Sequence, residues 1–220
     1  MIQAVIFDMD GLLINTEPKW QELEREFIAG MGLEITPEMQ KHTLGLRTIE
    51  MIKYWYHIKP WPNPDFEKQE AEIEALMKEY YITGTVLMKG ALQVLELFKK
   101  QGIRIAIASS SPLMLIDTFL NRFELQDVFE VKHSAEFEEY GKPHPGVYIT
   151  TAKKLKVHPS SCLAFEDSFN GLLAAKSALM KAVAVPDTLH FHDPRFAIAD
   201  LKIRSLEDFV GKDLQSLFAN

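Results

Sequence analysis

Four apolar residues, Ala4-Val5-Ile6-Phe7, run without helical periodicity and break at Asp8-Met9-Asp10-Gly11. This is the pattern of a buried strand that ends in a sharp turn. No other stretch constrains the fold as much. A strand apolar at every position needs cover on both faces, which a parallel sheet between helices provides. In such sheets ligands bind beyond the carboxyl ends of the strands. Two carboxylates at that edge are therefore candidates for chemistry, and the competing reading is a strand end closed by an Asx-type turn. What the rest of the chain brings to the same edge separates the two.

From Glu17 to about Tyr81 the pattern is helical, with Trp20, Leu23, Phe27 and Ile28 at helical spacing and glycines at 30 and 32 to end the run. Thr36-Pro37 opens a short helix expected to stop near Gly45. Pro60-Trp61-Pro62-Asn63-Pro64 forces a loop before a further helix from about Asp65 to Tyr81. After Val86 helix and strand alternate. Helical patterns over residues 91–100, 113–122, 145–155 and 172–177 separate apolar runs at 103–108, 128–131, 163–165 and 182–185. The tail, 200–220, reads as an edge strand and a closing helix. The expected fold is α/β: a Rossmann-like parallel sheet with helices on both faces, formed by residues 1–15 and 83–220, plus an inserted all-α cap domain over residues 16–82.

The 220 residues are enough for a sizeable core, and the formal net charge of −7 gives no general support to a nucleic-acid or anionic-membrane partner. No apolar run approaches a membrane span, and the first strand leaves no room for a signal peptide. The single cysteine, Cys162, sits in an apolar run and reads as a core residue, which suits a reducing cytoplasm. Six of the seven histidines, at positions 42, 57, 133, 158, 190 and 192, lack ligand spacing and read as structural or solvated. A cytoplasmic monomer acting on a small molecule is expected.

Each strand is followed by polar residues. Asp8 and Asp10 follow the first, Ser109-Ser110-Ser111-Pro112 the second, Gly141-Lys142-Pro143-His144-Pro145 the third, and Glu166-Asp167-Ser168 the fourth. Asp8, Asp10, Glu166 and Asp167 cannot all stay ionised close together without a cation. An all-oxygen set favours a hard ion, Mg²⁺ above all. The serines at a strand-to-helix turn are candidates for an anion cradle, with plain N-capping as the alternative. Lys142, pinned between Gly141 and Pro143, could supply a cation. Together these describe a magnesium-assisted phosphoryl site.

With these motifs in order along the whole chain, the sequence resembles the haloacid dehalogenase superfamily, in its phosphatase branch with an α-helical cap. The local runs Asn15-Thr16-Glu17-Pro18-Lys19-Trp20 and Leu44-Gly45-Leu46-Arg47 are similar to the subgroup of 2-deoxyglucose-6-phosphate and hexitol-phosphate phosphatases, related to β-phosphoglucomutase. The resemblance implies that Asp8 is the nucleophile and a metal ligand. Asp10 is then the general acid and base, with its backbone carbonyl on the metal. Ser109 and the Ser110 N–H hold phosphate oxygens, and Lys142 neutralises Asp8 and the phosphate. Asp167 ligates the metal, with Glu166 a ligand either directly or at one remove. Glu17, Trp20 and Arg47 are expected on the substrate. Asp10 disfavours dehalogenation, since a halide leaving group needs no proton. Trp20 stands where the mutase carries a histidine, so a sugar or polyol phosphate phosphatase is expected, with the phosphomutase and a catalytically idle binding protein as alternatives.

Overall fold

The computed structural model describes residues 2–217. The strand β1 (Ala4–Phe7) lies inside a six-stranded sheet with β2 (Arg104–Ser109), β3 (Val131–Ser134), β4 (Cys162–Glu166), β5 (Lys181–Ala184) and β6 (Leu201–Lys202). The strand order is β3-β2-β1-β4-β5-β6 and every pairing is parallel. Phe7 stands level with Ile107 of β2 and Phe165 of β4, so the residues just past those positions emerge side by side at one edge.

The side-chain period of two splits the sheet into a bulky face and a small one. Val5, Phe7, Ile107, Leu163 and Phe165 point to one side, where α5 (Ala91–Lys100), α6 (Leu113–Arg122) and α9 (Gly211–Leu217) pack. The rings of Phe7 and Phe165 stack there at 4.9 Å, and Phe209 meets Phe165 edge-on at 4.9 Å. Ala4, Ala106, Ala108, Ala164 and Ala182 face the other side and let α7 (Gly146–Lys154) and α8 (Phe169–Ser177) approach closely. Cys162 belongs to this small-residue layer, and burial pushes its thiol up to about 12.

Between β1 and α5 the chain is helical: α1 (Glu17–Gly30), α2 (Pro37–Gln40), α3 (Thr48–Ile58) and α4 (Phe66–Thr83). Ile28, Ile52, Trp55 and Ile73 build a separate apolar cluster there. Met77 and Tyr81 at the end of α4, with Leu23 of α1, join the bulky-face core instead.

Two expectations shift. The helix opened by Thr36 ends at Gln40 and gives way to turns through Gly45, the latter in the left-handed region at φ 77°. The third strand is not the apolar run at 128–131. It runs from Val131 through Lys132, His133 and Ser134, because an edge strand with one neighbour need not be apolar throughout. Among the described residues no helix is long and apolar enough to cross a membrane.

Candidate active site

Asp8 is the first residue beyond β1, and its N–H continues the sheet by donating to the Phe165 carbonyl at 3.0 Å. The buried Lys142 ammonium donates to Asp8 Oδ1 at 2.6 Å, to Glu166 Oε1 at 2.6 Å and to the Ala108 carbonyl at 3.1 Å. Three strand ends are thus joined by one cation. Burial disfavours the charge on Lys142, but Asp8 and Glu166 outweigh it and hold the ammonium well above its ordinary range.

Glu166 is fully buried and also accepts from the Tyr148 hydroxyl and, at 3.3 Å, from Ser168 Oγ. Asp167 projects from the next position. Gly11 takes φ 72°, and a Cβ there would lie 2.1 Å from Asp167 Oδ2, so the turn after β1 closes directly onto that carboxylate. Oxygens of Asp8, Glu166 and Asp167 lie within 4.8 Å of one another. Burial pushes the carboxyl of Asp8 well up against the pull of Lys142; burial, then repulsion from Asp8 and Glu166, pushes Asp167 well up.

Three carboxylates against one ammonium leave an excess of negative charge. An all-oxygen donor set of this kind fits a hard dication such as Mg²⁺. Two donors already converge on Glu166 Oε1, whereas Asp167 accepts none among the described hydrogen bonds.

Asp10 is held differently. Its Oδ1 accepts from Thr16 Oγ1 at 2.7 Å, from Trp20 Nε1 at 3.2 Å and from the Tyr81 hydroxyl. Its Oδ2 accepts from Ser111 Oγ at 2.7 Å. Its carboxylate is outside the three-carboxylate group. Trp20, expected on the substrate, is a partner of Asp10 as well as part of the cavity wall. The sequence pattern gives Thr16 and Tyr81 no role of their own, and it puts Ser111 in an anion cradle, whereas here its hydroxyl serves Asp10. Tyr81 is 71 positions from Asp10, and no local pattern announces such a contact.

The buried Ser109 accepts from the Ser111 N–H at 3.0 Å, and Ser110 Oγ donates to the Gly45 carbonyl at 2.7 Å. Asn170 Nδ2 donates to the Leu44 carbonyl at 2.8 Å, so the loop after β2 and the first turn of α8 grip the turn before α3. A cavity lies between that turn, α1 and the strand ends, with Asp8, Asp10, Ser109, Ser110 and Asp167 on its floor. Glu17 is in its wall, pushed up to about 7 by burial against a hydrogen bond from Gln21.

Arg47 is turned away from that cavity. Its guanidinium donates to the carbonyls of Ala135 at 3.2 Å and Glu138 at 2.9 Å and pairs with Glu50 at 2.6 Å. It borders a separate hollow with Glu70, Glu74 and Glu136.

A parallel sheet whose strand ends gather a lysine, three clustered carboxylates and a clasped aspartate defines a class, and comparison with known proteins agrees. Residues 5–185 match the haloacid dehalogenase-like hydrolases. The chain belongs to that family, in its phosphatase branch.

Among its relatives is hexitol phosphatase B of Escherichia coli strain K12, 40% identical over 214 residues and covering 97% of this chain and 96% of that one. A phosphorylated carbohydrates phosphatase of Thermotoga maritima is 29% identical over 184 residues, 80% of this chain and 82% of that one. CbbY of Rhodobacter sphaeroides, solved as a mutant with xylulose-(1,5)bisphosphate, superposes with a TM-score of 0.79 at 28% identity over 94% of this chain and 96% of that one. The β-phosphoglucomutase of Clostridium difficile shares the fold, with a TM-score of 0.85 at 23% identity over 100% and 98% of the two chains.

Proposed function

We propose that this protein is a Mg²⁺-dependent phosphatase that hydrolyses a small sugar or polyol phosphate through an aspartyl-phosphate, with residues 16–82 acting as a cap domain over a core of 1–15 and 83–220. One observation carries the reading. Asp8 shares Lys142 with Glu166 and lies in a carboxylate group with Asp167, while Asp10, two residues on, is oriented by four donors of its own.

The chemistry follows from that division. Asp8, Asp167 and the Asp10 carbonyl would hold Mg²⁺, with Glu166 at one remove because its oxygens are already engaged. Bound there, such an ion would supply charge neutralisation to phosphoryl oxygens. Lys142 holds Asp8 with one oxygen fixed, leaving the other to attack phosphorus in line. The phosphorus–oxygen bond to the sugar breaks, and the departing oxygen takes a proton from Asp10. Among the described hydrogen bonds Oδ2 of Asp10 accepts only from Ser111, and so keeps a position open towards the leaving group. A water then attacks the aspartyl-phosphate, gives its proton to Asp10, and releases phosphate with Asp8 restored. Ser109 and the Ser110 N–H would hold the phosphoryl oxygens during both steps. Trp20 donates to Asp10 and has no basic nitrogen to accept a sugar-hydroxyl proton, which favours hydrolysis over phosphate return to the sugar. The buried free thiol of Cys162 fits a cytoplasmic setting.

The test is release of p-nitrophenol from p-nitrophenyl phosphate. Turnover is expected to need a divalent cation, to stop on adding EDTA, and to fall on the order of 10³-fold or more in Asp8→Asn. Turnover that persists in Asp8→Asn would remove Asp8 as nucleophile.

A further inference from the structure

The cap side of the cavity carries two carboxyl side chains, Glu17 and Glu24, both from α1. No lysine or arginine is among the described residues lining it. Arg47, the cation that the sequence pattern aims at the substrate, is committed to backbone carbonyls of residues 135–139 and to Glu50. Lys142 lies beneath the floor, enclosed by Asp8 and Glu166.

We infer that Glu17 and Glu24 make the cavity selective for monophosphates with a neutral polyhydroxyl far end, and that they reject substrates carrying a second phosphate or a carboxylate there. This rests on the phosphatase reading above.

Glu24 is nearly fully buried, and its carboxylate accepts from Gln40 Nε2, Thr43 Oγ1 and Trp55 Nε1, each at 2.6 Å. All three are neutral donors. They favour the ionised carboxylate against the burial that pushes its titration up, and none of the three brings a compensating charge. Glu17 accepts from Gln21 Nε2 at 3.2 Å, again a neutral partner. Gln21, Thr43 and Thr48 share the wall and give hydroxyl groups both donors and acceptors. A second anion within about 6 Å of either carboxylate meets repulsion worth about tenfold or more in affinity at protein-like dielectric. The fold itself does not forbid a bisphosphate, since the similar CbbY mutant structure contains one. The discrimination here comes from the wall.

The experiment compares kcat/KM, with Mg²⁺ and at pH 8 where Glu17 is ionised, for glucitol 6-phosphate and glucitol 1,6-bisphosphate, a pair that differs by the distal phosphate; salt dependence separates its charge from its bulk. The monophosphate is expected to be favoured by about 100-fold. That ratio should shrink as ionic strength rises from about 0.05 to 0.5 M, because the repulsion is screened. Glu17→Gln and Glu24→Gln should each lower the ratio about tenfold and flatten its salt dependence. A variant with merely structural damage would lower both substrates together and leave the ratio where it was. If the wild-type enzyme cleaves both equally, or if the ratio is insensitive both to salt and to the two variants, the inference is overturned alone. Failure of the wild-type enzyme to cleave any phosphate monoester would overturn it together with the phosphatase reading.

Discussion

At the scale of single residues, the site separates two aspartates that are neighbours in sequence. Asp8 faces Lys142 and the other acids, while Asp10 faces Thr16, Trp20, Tyr81 and Ser111. Strand geometry explains why adjacent roles are possible, but not who the partners are. Tyr81 is the clearest case. Its phenol is buried, and burial followed by the negative field of Asp10 pushes its ionisation well above the ordinary range, so it stays a donor. A hydrogen bond to a charged group contributes about 1.5–3 kcal/mol. Tyr81→Phe should therefore lower kcat on a sugar phosphate by about tenfold or more, since a sugar alkoxide needs the proton that Asp10 delivers. On p-nitrophenyl phosphate, whose leaving group needs no proton, the loss should stay within about threefold. Equal losses on both substrates would place Tyr81 in packing rather than in proton delivery.

At the scale of elements, most strands and helices were legible, because a run apolar on both faces and a period of 3.6 are local signals. The strand β3 was not, since Val131-Lys132-His133-Ser134 is an edge strand without the apolar run expected at 128–131. The close seat of α8 on β4 was also invisible. A Cβ on Gly171 would stand 2.0 Å from Glu166 Oε1, so the first turn of α8 approaches that carboxylate as only glycine permits. Ser168 caps that turn by accepting from the Gly171 N–H at 3.1 Å. Gly171→Ala should then cost about 1–3 kcal/mol, the usual penalty for overpacking a filled site, read as a lower urea midpoint with an unchanged m-value. A variant as stable as the parent would show that Glu166 can move aside.

At the scale of the whole molecule, the helical insertion and the core share one hollow rich in glutamates. Glu74 of α4 borders the hollow shared with Glu136 of the core, and burial, then repulsion from Glu70 and Glu136, pushes it up to about 7 from an ordinary 4.5. The folded protein thus holds a proton that the unfolded chain releases at lower pH. Stability should fall as pH rises from about 4.5 through 7 and level off above it. Glu74→Gln should flatten that slope, measured as urea midpoints at pH 5 and pH 8. An identical slope in the variant would assign the pH dependence to other groups. The sequence alone determined the sheet, the helical insertion and the polar residues at the strand ends, because those depend on periodicity and on where runs of apolar residues stop. Tertiary structure decided that Arg47 grips carbonyls of the loop at 135–139 instead of facing the cavity, that four donors clasp Asp10, and that Glu17 and Glu24 face inward. Those outcomes depend on distances between residues far apart in the chain, and such distances are set only when the two apolar clusters and the faces of the sheet have packed.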